Sequence, residues 1–424
     1  MCARSKTPGG QFELRAWHRV LIFLVACAVL FSRRPEAILH AQFYAEDGHV
    51  WFAEAYNLGW LHALFRAQDG YFQTVARLGG ALALLAPFAQ APLVLNLIAI
   101  AIQALPVNLL MRARSAGWGP LRFRAILAAV YLALPDTGEV GFGITESQWL
   151  LALSAFLLLV GDAPRGRAGR IFDLALILLS GLSGPFSIFL LPIAAFVAYR
   201  RRGRWPWSLA GALAACAFIQ ALSLLVIDRS GRLHFPLGPT PGLFVRILSG
   251  NVLLGSILGY TQMGYSPGTG VFIFLLCVVV AGSVVVVACF LRSDIEMRLF
   301  LVFSGLLFAA ALLSPVVYPP KGYTVWMVLA QTRGGHYWCL PSLAFAWSLI
   351  WMMRQRESVA KAIAIVFLCA MCLGVIRNWE LPAFKDLHFA EYARSFEGAP
   401  AGTVMVIPEN PEGWTMQLVK KPIR

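Results

Sequence analysis

Apolar segments long enough, or nearly long enough, to cross a bilayer recur along the whole chain, and short basic breaks separate them. In hydrocarbon every backbone amide and carbonyl must find a partner inside its own segment, so such runs read as helices. The totals agree: the 424 residues are 59% hydrophobic and 13% charged, with a mean hydropathy of +0.69. That composition belongs to a polytopic membrane protein. The net charge of +14 raises nucleic acid as a partner, but Lys and Arg sit in short runs between apolar segments, with no groove-reading or base-stacking module. Nucleic-acid binding is excluded, and the basic runs are a topology signal.

The spans read as 16–32, 91–111, 125–134, 150–160, two short helices meeting at 182–187, then 207–227, 271–291, 299–313, 340–353 and 362–375. The apolar region 74–111 is broken by Pro87 and Pro92 and reads as one crossing or two. Arg112, Arg114, Arg122 and Arg124 decide for one, which keeps this basic loop and most later ones on the same side. Residues 74–87 then form a short helix dipping into the outer leaflet. Read this way the chain is an all-α polytopic membrane protein with about 11 crossings. Its N-terminus is cytoplasmic, its C-terminus is outside, and 228–270 is a long Gly/Pro-rich outer loop. Residues 1–377 form the membrane domain, including a first outer loop at 33–90. Residues 378–424 form a short outer tail that Trp414 and its Pro turns suggest packs back over the loops. No internal repeat is visible, and the first apolar run reads as a retained anchor.

The most polar stretch, 42–78, follows the first span and contains Glu46, Asp47, Glu54 and Asp69. Residues 47–56 read as a helix start, with Asp47 suited to cap its free amides. Trp51, Phe52, Ala55 and Tyr56 recur at helical spacing, as on an amphipathic helix lying in the membrane interface. Glu54 falls on its wet face, and Gln68-Asp69-Gly70-Tyr71 is a turn by composition. The alternative to a cap is chemical. Moving a sugar from a polyprenyl phosphate to a hydroxyl requires a carboxylate to take the acceptor's proton. It also requires cations or donors around the departing phosphate. The outer loops hold Arg333 and His336 beside a Gly-Gly pair, and Lys321 after a Pro-Pro turn; Arg matches phosphate oxygens through its planar fork. There is no Walker A loop, Gly-x-Ser-x-Gly elbow, His-Glu-x-x-His or Asp-x-Asp. A divalent cation, Mg or Mn, is left open, since pairing Asp47 with Asp136 or Glu139 depends on geometry a sequence does not supply.

With these residues in view the chain resembles the GT-C fold membrane glycosyltransferases, which use polyprenyl-phosphate sugars as donors. Glu46-Asp47-Gly48 matches the acidic motif that opens their first outer loop, and Asp69-Gly70-Tyr71 with Arg77 looks like the second half of that loop. Residues 135–149, 182–187 and the tail's Pro408 to Trp414 resemble recurrent turns of GT-C-like bacterial proteins. The motif here is Glu-Asp, where Asp-Asp or Asp-Glu is commoner, and the large soluble outer domain of many relatives has no counterpart. The resemblance implies Asp47 as general base with Glu46 beside it, supporting the site or binding the metal. An Arg or Lys on the donor phosphate is usual in that family. No one residue matches the role by motif, and the outer loops offer Arg333, His336, Lys321 and Arg77 for it, with Asp69, Tyr71, Glu139, Glu146, Gln148 and Trp149 as candidate substrate contacts. The implied partners are a polyprenyl-phosphate sugar, a cell-envelope glycan or lipid acceptor, and membrane lipid. The location is the outer face of a bacterial inner membrane. Two other readings stand beside it: a transporter or flippase for a lipid-linked saccharide, and a non-catalytic envelope-assembly protein.

Overall fold

The computed structural model describes residues 14–135, 141, 143–226, 235–259, 268–331 and 335–422. The architecture is mostly helical, that of a multi-pass membrane protein. Among the described residues seven helical segments are long and apolar enough to cross a membrane: Ala16–Arg33, Phe88–Met111, Arg204–Val226, Pro241–Leu258, Thr269–Arg292, Ile295–Leu313 and Val359–Arg377. Leu121–Ala133, Ser147–Val160, Arg167–Gly181, Phe186–Arg201 and Gly335–Met352 complete the bundle as helices of 13 to 18 residues. Several are shorter than the roughly 20 residues that 30 Å of hydrocarbon requires. Ser147–Val160 lies at the bundle centre, with every residue buried.

The contacts sort the inter-helix segments onto two ends. At one end Arg114 binds Asp173 at 2.5 and 2.9 Å, Arg201 reaches the Val160 and Gly161 carbonyls, and Arg354 lies 3.9 Å from Asp294. Two of these are pairs with carboxylates, and Arg201 covers carbonyls that the C-terminus of Ser147–Val160 leaves unpaired. The opposite end gathers the first loop, the 143–149 and 182–185 turns, the 314–331 segment and the tail. There Arg33, fully buried, donates to the Leu132, Asn378 and Trp379 carbonyls, and Arg34 donates to Gly141 and stacks on Phe384. Two cations at the tail's end of the bundle are therefore structural fasteners.

Two sequence expectations are corrected. Within the expected 228–270 loop, Pro241–Leu258 is a continuous helical segment whose middle, Ile247–Leu254, widens into a π-helical turn. Phe244 packs on Trp326, whose indole bonds the Leu312 carbonyl, and Asn378 donates to the Leu258 carbonyl. Both ends of that segment thus meet the tail end of the bundle, so it lies obliquely there. Second, Trp51, Phe52 and Ala55 do not face lipid; they are at most 2% exposed, and the outward apolar side chains are Leu58, Trp60, Leu61 and Phe65. The tail, expected only to pack back over the loops, continues after Phe389–Gly398 as an antiparallel hairpin, Val404–Glu409 with Trp414–Val419.

That hairpin explains the burial of the first loop. Phe43, Trp51, Phe52 and Ile144 share one apolar cluster with Phe389, Phe396, Ile407, Met416 and Leu418, separate from the core of the bundle. Gly80 permits the Thr74–Ala83 helix to touch the Trp51 carbonyl, where a Cβ would overlap it. The other face of that helix leaves Leu78 and Leu82 exposed.

Candidate functional site

A cavity of about 350 Å³ opens among the loops at the tail end of the bundle. Its polar wall carries Glu46, Asp69, Tyr71, Gln73, Thr145, Glu146, Gln148 and His336. Toward the helices it becomes apolar, with Trp149, Phe186, Ile188, Phe189, Leu224, Leu307, Ala310 and Ala311. A polar mouth over an apolar floor suits an amphiphile.

Local sequence sets each wall. Gln68 and Tyr71 exchange backbone hydrogen bonds of 2.9 and 3.2 Å around a turn with φ of +53° at Asp69 and +83° at Gly70. Gly takes that conformation without cost, and Asp is among the few other residues that tolerate it. Ser223 donates to the Gly70 carbonyl at 3.0 Å, which fixes the turn against Arg204–Val226. Across the cavity Glu146, Gln148 and Trp149 project from the start of Ser147–Val160. Trp149 meets Phe186 edge-on at 4.7 Å between ring centroids, and the His336 ring lies 5.8 Å away. His336 Nδ1 stands 3.7 Å from Glu146 Oε1.

Asp47 lies behind this wall. It is 1% exposed, and its carboxylate accepts the Ile144 amide at 3.0 Å, the Thr145 amide at 3.1 Å and the Thr145 hydroxyl at 2.7 Å. The Trp51 indole donates to the same hydroxyl at 2.8 Å. Asp47 therefore does not cap its own helix, Asp47–Phe52, which makes no side-chain cap bond; it ties two loops together. Burial lifts its pKa from 3.8 to about 7, against the pull of Thr145 and the two amides. Glu46, one residue earlier, faces the cavity.

The remaining expected residues divide. Arg77 is not at the cavity: its side chain is fully buried, paired with Glu54 at 2.6 Å and stacked 4.8 Å over Trp51. Glu54 correspondingly leaves the wet face to bind Arg77 and, at 3.4 Å, Arg66. Lys321 sits exposed on its turn and is not part of the cavity wall. Glu139, Asp136 and Arg333 lie outside the described residues. Among the described residues no three His, Cys, Asp or Glu side chains converge as a metal site, and both Asp47 oxygens are committed to Ile144 and Thr145. The described residues therefore assemble no metal site around Asp47, and the Asp136 and Glu139 partners of that reading lie outside them.

Sequence reasoning did not name Gln73, Thr145, Phe186 or Tyr337 as site residues, although Thr145 and Phe186 fall inside the 135–149 and 182–187 turns and Tyr337 adjoins His336. It also missed Glu409, whose Pro408-to-Trp414 setting was the available signal. Glu409 is buried on the far side of the first loop, accepting from the His49 amide at 3.1 Å and lying 2.6 Å from His49 Nδ1. Burial opposes the His49 cation, but the Glu409 carboxylate outweighs it and raises the pKa of the ring.

A scan against protein-family models finds no match, and a search of curated proteins finds no relative.

Proposed function

We propose that this chain is a GT-C-type membrane glycosyltransferase. It moves a sugar from a polyprenyl-phosphate donor to a cell-envelope glycan or lipid on the outer face of a bacterial inner membrane. The observation that carries the reading is the amphiphilic cavity with Glu46, Asp69 and Glu146 in one wall and aromatic and aliphatic side chains below them. The basic runs at the opposite end favour a cytoplasmic placement for that end, which sets the cavity outside.

In this reading Glu46 takes the base role that the resemblance assigned to Asp47, because Glu46 faces the cavity and Asp47 does not. Glu46 accepts the proton of the acceptor hydroxyl as that oxygen bonds the sugar's anomeric carbon. The bond from that carbon to the phosphate oxygen breaks, and polyprenyl phosphate leaves with the electron pair. His336 on the facing wall is placed to donate to the departing phosphate. The apolar floor holds the first isoprene units, and Trp149 borders the sugar.

The test uses the purified chain in lipid nanodiscs with undecaprenyl-phosphate glucose, galactose, mannose and arabinose as donors and envelope extract as acceptor. Glu46→Gln is expected to lower transfer by about 10²–10⁴-fold with an unchanged unfolding midpoint. Transfer at the unaltered rate in that variant would remove Glu46 from the chemistry.

A further inference from the structure

At the end of the bundle away from the cavity, three helices meet around a group of arginines. Arg19 belongs to Ala16–Arg33, Arg112 follows Ala91–Met111 directly, and Arg114 lies two residues on. Asn108 donates to the Arg19 carbonyl at 2.8 Å, which pins the start of the first helix beside the end of the second. Arg112 stacks 4.7 Å over Phe172 of Arg167–Gly181. Arg114 takes both oxygens of the buried Asp173, at 2.9 and 2.5 Å. Asp162, the other acid at this corner, is exposed and meets Arg114 through its backbone. Among the described residues the Arg19 and Arg112 guanidinium groups have neither a carboxylate nor a hydrogen-bond acceptor.

These like charges are held together against their own repulsion. Burial, then the charges of Arg114 and Arg19, keep the Arg112 pKa below its ordinary value, and Asp173 offsets only part of this. Of the three Arg112 nitrogens, Nε is sealed inside the protein and the two terminal ones are not, so its outer edge stays open to a ligand. The second observation is apolar. Ala91–Met111 is buried on most sides, and one accessible row runs Leu97, Ala101, Leu105 and Asn108 at helical spacing before ending on Arg112. From Arg112 to Leu97 is roughly 22 Å at 1.5 Å per residue, against about 15 Å for one leaflet of a 30 Å core. The cations thus continue into a strip long enough for a fatty chain, which a free phosphate would leave unused.

We propose that this corner binds an anionic phospholipid, its phosphate between the Arg19 and Arg112 side chains and one acyl chain along Leu97, Ala101 and Leu105. Arg presents a planar fork to phosphate oxygens, and basic pockets between membrane helices take acidic head groups. The bound anion relieves the repulsion between two guanidinium groups that no carboxylate answers. Arg15, one turn before Arg19 and exposed, adds a cation at the rim. The site stands apart from the cavity and does not depend on the reaction proposed there.

The test is native mass spectrometry of the full chain in detergent with equal phosphatidylglycerol and phosphatidylcholine, joined by unfolding midpoints with each lipid added. The unaltered protein should retain phosphatidylglycerol in preference and be stabilised more by it. Arg19→Gln and Arg112→Gln should each lower that preference about fivefold, and the double variant roughly twenty-five-fold. The Arg19 side chain is exposed and makes no hydrogen bond among the described residues. Arg19→Gln should therefore keep the lipid-free midpoint, and it decides the matter if Arg112→Gln unfolds. Arg202→Gln with Arg204→Gln removes two exposed charges from the same end and should leave the preference within about twofold. An equal loss in that control would mean general surface charge and overturn the site. So would an unaltered protein without preference, or an Arg19→Gln protein that keeps it. Displacement of phosphatidylglycerol by glycerol phosphate would overturn the lipid in favour of a free anion.

Discussion

The first loop has two sides that share a sequence and almost nothing else. On the cavity side Glu46, Asp69 and Tyr71 line the cavity with Glu146 and Gln148. On the other, Asp47, His49, Trp51 and Arg77 are committed to Thr145, Glu409 and Glu54. Consecutive carboxylates fall on opposite sides because Asp47 begins a π-helical turn that carries it inward. Proximity in the chain to an acidic motif therefore says little about which acid meets a ligand. The partners taken by each carboxylate decide it.

The largest effect that tests this division is on Asp47. Asp47→Asn puts an amide donor against the Ile144 and Thr145 amides and should cost about 3 kcal/mol, read by thermal unfolding in detergent. Its loss of transfer should track the fraction unfolded, in contrast to Glu46→Gln. An Asp47→Asn protein with an unaltered midpoint and no transfer would reverse the assignment and return the base to Asp47.

Arg77 comes next. Arg77→Met removes the buried partner of Glu54 and the cation over Trp51, leaving Glu54 with Arg66 alone. A loss of about 2 kcal/mol is expected, less than for a sealed pair because Glu54 keeps 23% of its side-chain surface. Transfer per folded molecule should stay near the unaltered level. A raised KM for donor at unchanged stability would instead restore the donor-phosphate role that the sequence suggested.

Much of the outline was legible. The break at Pro87, the long apolar helix Ala91–Met111 and the turn at 182–187 appear where the apolar pattern put them, since hydropathy acts locally. The cavity residues Asp69, Tyr71, Glu146, Gln148, Trp149 and His336 were legible as polar or aromatic groups in outer loops. The direction each faces was not. The inward turn of Asp47 needs Ile144 and Thr145, about a hundred residues away, and the burial of Trp51 and Phe52 needs a hairpin at the far end of the chain. Helical periodicity identified an apolar face correctly in 51–56 but is silent on whether lipid or protein covers it. The segment 241–258 was hidden by the Gly and Pro residues on either side of it.

A smaller effect follows from pH. The Asp47 pKa is raised from 3.8 to about 7, so the folded state holds this proton better than the unfolded one. The associated stability is complete below about pH 4 and is lost as pH rises through 7. His49 works in the same direction, its raised pKa favouring the paired cation at lower pH. Unfolding midpoints should therefore fall between pH 5 and 8, and Asp47→Asn should flatten that slope. Equal slopes in the two proteins would mean that Asp47 does not exchange its proton in this window, whatever its partners.

The smallest effect is the sharpest check on the division, because it concerns a cation that sequence placed at the site. Lys321 is exposed on its turn and does not line the cavity. Lys321→Ala should change stability by less than about 0.5 kcal/mol and donor affinity by under about twofold, with an unaltered salt dependence of binding. The reasoning is electrostatic: an exposed ammonium away from the ligand is screened within a Debye length of about 8 Å at physiological salt. A tenfold loss of donor affinity would mean that the 314–324 segment moves over the cavity when donor binds. The polar wall would then extend beyond the residues that line it now, and the boundary between the two sides of the first loop would belong to the unliganded protein alone.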